Sequence, residues 1–256
     1  MFEKLLARGD DIALQSHARS IMLGDFPDAL SEIEDVVSQF EVPITEIVGS
    51  GGGEALGTQR MRRALTNRGW IKTNFEIKKT INGIERESIS HEVDHVKQYP
   101  NGALALEIEW NNKDPFFDRD LENFKRLHAE GAISVGIIIT RGKLLQSALR
   151  GAVARFAYER KIDSFENLIE HGIDRFTTRQ RTNTEMRQKK LPFAEAWAAM
   201  FVSDKYGEAT THWRKLEDRV SRGVGNPCPL ILIGLSDKIL AFGEERNDSS
   251  MGLFQL

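Results

Sequence analysis

Apolar positions along the chain change period as it proceeds, and each change predicts a different element. Over the first 45 residues Ala, Leu and Glu are frequent, and Leu30, Ile33, Val36, Val37 and Phe40 recur at helical intervals. The run GSGGGEALG, residues 49 to 57, breaks that rhythm, and QRMRRALTNRGW then predicts a basic helix that ends at Gly69 as its C-cap. From residue 71 the pattern becomes that of strands. Asn82-Gly83 and Asn101-Gly102 are both two-residue hairpin signals, because a type I′ turn needs positive φ at both central positions. They divide the region into IKTNFEIKKTI, IERESISHEVDHVKQY and ALALEIEW. In the last of these Leu104, Leu106, Ile108 and Trp110 take one face, and Ala103, Ala105, Glu107 and Glu109 take the other. A helix over residues 117 to 130 is expected next. AISVGIIIT carries no charge, and neither does CPLILIGL near the end; such runs predict central strands covered on both faces.

The order of helices, meander, helix, buried strand, helices and buried strand predicts an α/β fold with a mixed central sheet flanked by helices. No internal repeat and no long Pro/Gly/Ser linker divides it, so residues 1–256 are expected to form a single domain. No apolar run approaches the ~20 residues of a membrane span. The opening MFEKLLARGDD turns acidic at once and does not read as a signal peptide. Cys228, the lone cysteine, cannot form an internal disulfide and fits a reducing, cytoplasmic setting; within CPLILIGL it reads as a small buried hydrophobe.

The net charge of −3 is unevenly spread. Residues 21 to 46 hold seven acids and no Lys or Arg, whereas residues 58 to 80 hold seven basic residues against one acid, and residues 175 to 190 hold six against one. Such runs serve equally as solvated faces or as grips on an anionic polymer. A pI near 6.1 speaks against non-specific coating of nucleic acid.

Candidate chemistry begins at His91-Glu92-Val93-Asp94-His95, which matches the H-E-x-x-H zinc-protease pattern. That pattern requires two histidines one helical turn apart, yet this stretch lies between two hairpin signals, is followed by Pro100, and has no evident third ligand. The carboxylates beside it carry more weight. Asp94 precedes a turn, and Glu107 and Glu109 share a face of the returning strand with small alanines. Three carboxyls so close would raise one another's pKa unless a cation intervened. All-oxygen ligation selects a hard ion such as Mg²⁺.

Asp-x12-Glu-x-Glu across strand, turn and strand resembles the metal site of PD-(D/E)XK nucleases, in the variant where the last lysine is replaced. From Gly49 to Lys143, through VDHVK, ALEIEW and IIITRG, and again at CPLILIGL, the chain is similar to the BglII/BstYI group of type II restriction endonucleases. The resemblance implies a restriction-endonuclease-like fold. Within it, residues 1–48 would be a helical N-terminal part, 49–150 the catalytic core, and 151–256 a DNA-contact or dimer segment with the final core strand. It implies Mg²⁺-dependent hydrolysis of double-stranded DNA at a short sequence by a homodimer, in a restriction-modification system with a cognate methyltransferase as functional partner. A methylation-dependent or repair endonuclease, and a DNA-binding protein without catalysis, are the alternatives on the same scaffold.

Carried over by residue, Asp94 and Glu107 match the acidic metal ligands and the Ile108 carbonyl a further one. Glu109 stands where most of the superfamily has lysine and where the BglII/BstYI enzymes have glutamine; a glutamate there can take a proton from water or bind a second metal. Glu54 falls where some members carry an acid near the metal, although a first-turn helix glutamate reads the same way. For DNA contact the candidates are Asn111, Asn112 and Lys113 in the loop after the catalytic strand, Lys97 in VDHVK, and Arg179 and Arg181 in the second basic segment. A polar loop leading into Asp114-Pro115 is the alternative reading of residues 111 to 113. Arg60, Arg62 and Arg63 read as phosphate contacts or surface charge, and Trp70, Trp110, Trp197 and Trp213 as core or interface.

Overall fold

The computed structural model describes residues 1–49 and 54–243. The chain opens with α1 (Glu3–Arg8), β1 (Asp11–Gln15), α2 (Ala18–Asp25) and α3 (Pro27–Ser38). Then come β2 (Val42–Pro43), α4 (Ile44–Val48) and α5 (Leu56–Thr66). The meander is β3 (Ile71–Ile81), β4 (Ile84–Tyr99) and β5 (Gly102–Glu109), followed by α6 (Phe116–Ala129) and β6 (Val135–Arg141). Next are α7 (Lys143–Glu159), α8 (Phe165–Glu170), α9 (Thr178–Gln188), α10 (Phe193–Lys205) and α11 (Trp213–Ser221). The described chain closes on β7 (Leu230–Leu235), a 3-10 turn and β8 (Leu240–Ala241).

Six strands form the central sheet in the order β1-β7-β6-β5-β4-β3. The apolar strands β6, which carries a charge only at its last residue Arg141, and β7 lie parallel to each other and to β5, at the buried centre. The antiparallel β4 and β3 extend it on one side and β1 on the other. Helices cover both faces, which makes this the mixed α/β sandwich expected of the pattern. One apolar layer joins Leu104, Leu106 and Ile108 of β5 to residues of α3, α7 and α10. The other joins Ala103 and Ala105 to Phe117, Leu121 and Phe124 of α6 and Leu216 of α11. Gly136 lets α6 come that close, since a Cβ there would collide with the Phe124 ring. Trp70, Trp110, Trp197 and Trp213 are all buried. Among the described residues no helix is long and apolar enough to cross a membrane.

Local details correct the sequence reading in three places. The first 45 residues are not wholly helical, because Asp11–Gln15 forms an edge strand paired with β7. The basic helix ends at Thr66 with Asn67 as C-cap; Gly69, at φ +86°, turns the chain two residues later. Asn82 and Gly83 both have positive φ, as a type I′ turn requires, but Tyr99 pairs with Gly102, so the second hairpin turns on Pro100-Asn101. The glycine-rich break at 49 to 57 lies partly outside the described residues, at 50–53.

Candidate active site

A register fault in β4 places the first acid. Between the pairs Thr73–Val93 and Ile71–Val96, β3 contributes only Lys72 while β4 contributes Asp94 and His95. Such a bulge re-aims the side chains around it. Val93 and Val96, three residues apart, thereby enter the same apolar layer. The side chain of Asp94 is left 54% exposed, with Lys72 Nζ 3.8 Å from its Oδ1. The Asp94 backbone N–H donates to Glu107 Oε1 at 3.3 Å, which ties the bulge to β5. The bulge also settles the H-E-x-x-H question. His91 turns toward Asn123 and Arg126 of α6, and His95 toward Arg62 of α5, on opposite faces of the sheet.

On β5 the acids alternate with the core residues and point to the α6 side. Glu107 and Glu109 are 5% and 3% exposed, and α6 brings Asp120, 1% exposed, against them. Burial, and after it the charge of Asp120, raises Glu107 well above the usual carboxylate range and pushes Glu109 up to about 9. Burial raises Asp120 as well. Two groups moderate the repulsion. Asn112 Nδ2 donates to Glu109 Oε2 at 2.8 Å. Arg119 donates to Asp120 Oδ1 at 2.8 Å and sets its Nη2 3.7 Å from Glu109 Oε1.

The loop that carries Asn112 is fixed from a distant part of the chain. Asn112 and Thr211 exchange bonds, Lys113 bridges to Thr210, and the Asp114 N–H donates to the Ala209 carbonyl. Behind them Arg141, wholly buried at the end of β6, donates to the Thr211 carbonyl and the Thr210 hydroxyl.

A cleft of about 890 Å³ opens beside these groups, lined among others by Glu54, Asp94, Ile108, Asn111 and Asn112. Asp94 touches both this cleft and Glu107, whereas Glu107 and Glu109, on the α6 side of β5, do not line the cleft; Glu54 lines it and is paired to Arg62 at 3.0 Å. Lys97, a candidate DNA contact, has its ammonium held by Glu32 at 2.6 and 2.8 Å beside the Tyr99 ring. Asn112 spends its amide on Glu109 and Lys113 sits in a bridge, whereas Asn111 Oδ1 is buried without a donor. Arg60 is likewise paired, with Glu46. Arg181 lies half-buried with its guanidinium 4.6 Å from the Phe165 ring centre, while Arg179 is exposed.

Asp120, Arg119 and the Arg141–Thr211 prop escaped the sequence reading. Asp120 did leave a signal: it falls on the apolar stripe of α6 with Phe117, Leu121 and Phe124, where an acid needs a reason.

The donor chemistry fits a hard cation. The oxygens are carboxylate and carbonyl, and Glu107 is a buried acid with no cation of the chain within salt-bridge distance among the described residues, so its ionised form is disfavoured without a bound cation. Among those residues no three His, Cys, Asp or Glu side chains are gathered closely enough to enclose an ion, so the fit rests on donor type and charge.

Comparison with curated proteins gave no match. The family model described as restriction endonuclease BglII/BglIII matches residues 11–235, from the edge strand β1 to the last residue of β7. Enzymes of this kind generally use divalent metal ions. By that match over most of its length, the chain belongs to the BglII/BglIII restriction endonuclease family.

Proposed function

We propose that this restriction endonuclease hydrolyses duplex DNA at a short specific sequence, with Mg²⁺ held by Asp94, Glu107 and the Ile108 carbonyl and with Glu54 as a further donor at the rim. The observation that carries this reading is the bulge that sets Asp94 against Glu107 while α6 closes over Glu107 and Glu109. When bound, the metal acidifies water and offsets charge on the phosphoryl oxygens. The protein's own residues do the rest. Asp94 and Glu107 supply negative oxygens, and Asn112 fixes one oxygen of Glu109 so that the other faces the reacting water as its base. The water oxygen bonds to phosphorus and the P–O3′ bond breaks.

Specific contacts are assigned to Asn111 in the cleft, to the loop it shares with Asn112 and Lys113, and to the face of α9 around Arg179. That face is supported by a contrast between the basic segments. Of the seven cations at 58–80, Arg60, Arg62, Lys72, Lys78 and Lys79 have acidic partners within 4.0 Å and Arg63 and Arg68 do not, whereas none of the six at 175–190 has one among the described residues. Cutting both strands of a palindromic target calls for a two-fold homodimer, and a cognate methyltransferase would protect the host's own sites.

Digesting a plasmid of known sequence tests the reading. Discrete fragments are expected with Mg²⁺, none with EDTA, and DNA retention without cutting in Ca²⁺. Asp94→Asn should cut nothing. Undiminished cutting in EDTA sinks the carboxylate site, and metal-independent retention with no cutting under any condition leaves a DNA-binding protein without catalysis.

A further inference from the structure

We propose that Arg119 is a catalytic residue that binds a non-bridging oxygen of the phosphodiester beside Glu109 and stabilises the charge that develops there; this rests on the hydrolysis assigned above. Asp94, Glu107, Glu109 and Asp120 crowd four acids around a site whose substrate is itself an anion. The phosphodiester gains further negative charge as the water oxygen adds to it. A fixed positive group facing that oxygen favours the transition state over the ground state.

Among the described residues two cations lie within 4.0 Å of these acids, Lys72 and Arg119. Lys72 is drawn outward, with Glu92 at 2.6 Å and Asp94 at 3.8 Å. Arg119 alone of the two reaches Glu109. Its guanidinium is already oriented. It stacks 4.4 Å from the centre of the Phe116 ring, and Nε and Nη2 both lie 2.8 Å from Asp120 Oδ1. No described bond falls on Nη1, and the side chain is 53% exposed, so a substrate oxygen can reach it. A guanidinium keeps its charge at any working pH, and its planar fork suits a phosphate held at one edge while a carboxylate holds the other.

The same arrangement explains Asp120. An acid on the apolar stripe of α6, with Oδ2 buried and without a donor, is costly to keep unless it holds something. What it holds is Arg119. Asp120 is therefore a positioning residue, and Arg119 the group that touches substrate. In the reaction Arg119 moves no proton: the water's proton goes to Glu109, and the departing 3′ oxygen takes one from solvent.

The test is single-turnover cleavage by Arg119→Ala with Mg²⁺, alongside DNA binding in Ca²⁺. Loss of kcat on the order of 10²-fold is expected with binding within a few-fold of wild type. Low-millimolar guanidinium should restore part of the rate, and NaCl at equal ionic strength should not. Where Arg119→Ala fails to fold because Asp120 is left bare, Arg119→Met with Asp120→Asn removes both charges together, and the same rescue is expected in it. A kcat within threefold of wild type, or a loss that guanidinium leaves untouched, overturns the role of Arg119. The two readings fail differently. A wild type that never cuts overturns both, whereas an active wild type, an inactive Asp94→Asn and an unaffected Arg119→Ala overturn only this one.

Discussion

The two faces of β5 are equally dry and physically opposite. Leu104, Leu106 and Ile108 are at most 8% exposed, and so are Ala105, Glu107 and Glu109 on the other side. On the first face burial is the driving force, about 25 cal/mol for each Å² of apolar surface removed from water. On the second it is a penalty, because a carboxyl group loses hydration and gains an acidic neighbour, Asp120. Strand alternation lets one segment serve both purposes, since a residue and its neighbour never share a face. The apolar face anchors the strand firmly enough for the other to carry a charge cluster that would not hold together by itself. If the acidic face carries the reaction proposed above, stability and chemistry are separated by one residue of register.

That separation is tested most severely by neighbours. Leu106→Ala should lose about 2–5 kcal/mol of unfolding free energy, as core truncations do, while its folded fraction cuts DNA within a few-fold of wild type. Glu107→Gln should be as stable as wild type or more so without metal, because an acid whose ionised form burial disfavours is replaced by a neutral amide of the same shape, and should show no detectable cleavage. Urea unfolding and single-turnover cleavage of the same preparations decide the matter. A folded but inactive Leu106→Ala, or an active Glu107→Gln, would break the division between the faces.

Glu109 sharpens the comparison within the acidic face. Glu109→Gln keeps the oxygen that Asn112 holds and removes basicity. If Glu109 is the base, cleavage should fall on the order of 10²–10⁴-fold with DNA affinity little changed. A rate near wild type would reduce Glu109 to a group that orients water.

How much of this was legible depends on how local the signal is. The strands at 71 and 84 were marked by alternation and by Asn82-Gly83, and they begin and end where expected. Edge strand β1 was not, because Asp11–Gln15 is five residues long, sits among helical segments and pairs with β7, over two hundred residues away. Pro100 took the second turn from Asn101-Gly102, since proline's fixed φ suits the first central position of a turn. That Asp94, Glu107 and Glu109 come close to one another was readable from their spacing, but the bulge that aims Asp94 arises only when β4 is laid against β3. Lys97 looked free in sequence; its partner Glu32 is 65 residues earlier. Likewise nothing near Asn112 announces Thr211 or Arg141, which fix its loop.

The smallest effect expected is also the one that reads the acidic face without any DNA. In the folded, metal-free enzyme Glu109 keeps its proton up to about 9, held there first by burial and then by Asp120. In the unfolded chain a glutamate loses its proton near 4.3. Between pH 7 and 9 the unfolded state therefore binds fewer protons than the folded one, and stability must fall as pH rises. The full contribution is present only below the ordinary carboxylate value and is lost as pH climbs through 9. His91, His95 and His212 are lowered by burial and neutral in the folded state across this window; the small unfolded-state protonation left near pH 7 is common to wild type and Glu109→Gln. Cys228, raised by burial to about 12, adds a loss of the same sign above its ordinary value, so the slope is best read as a difference between two proteins. Wild type should lose about 1–3 kcal/mol of unfolding free energy from pH 7 to 9 beyond what Glu109→Gln loses, measured by urea titration in EDTA. A divalent cation should flatten the wild-type curve, because it supplies the positive charge the cluster lacks. Parallel curves for the two proteins would mean that Glu109 is already ionised in the folded state, and that the two faces of β5 differ less than their burial implies.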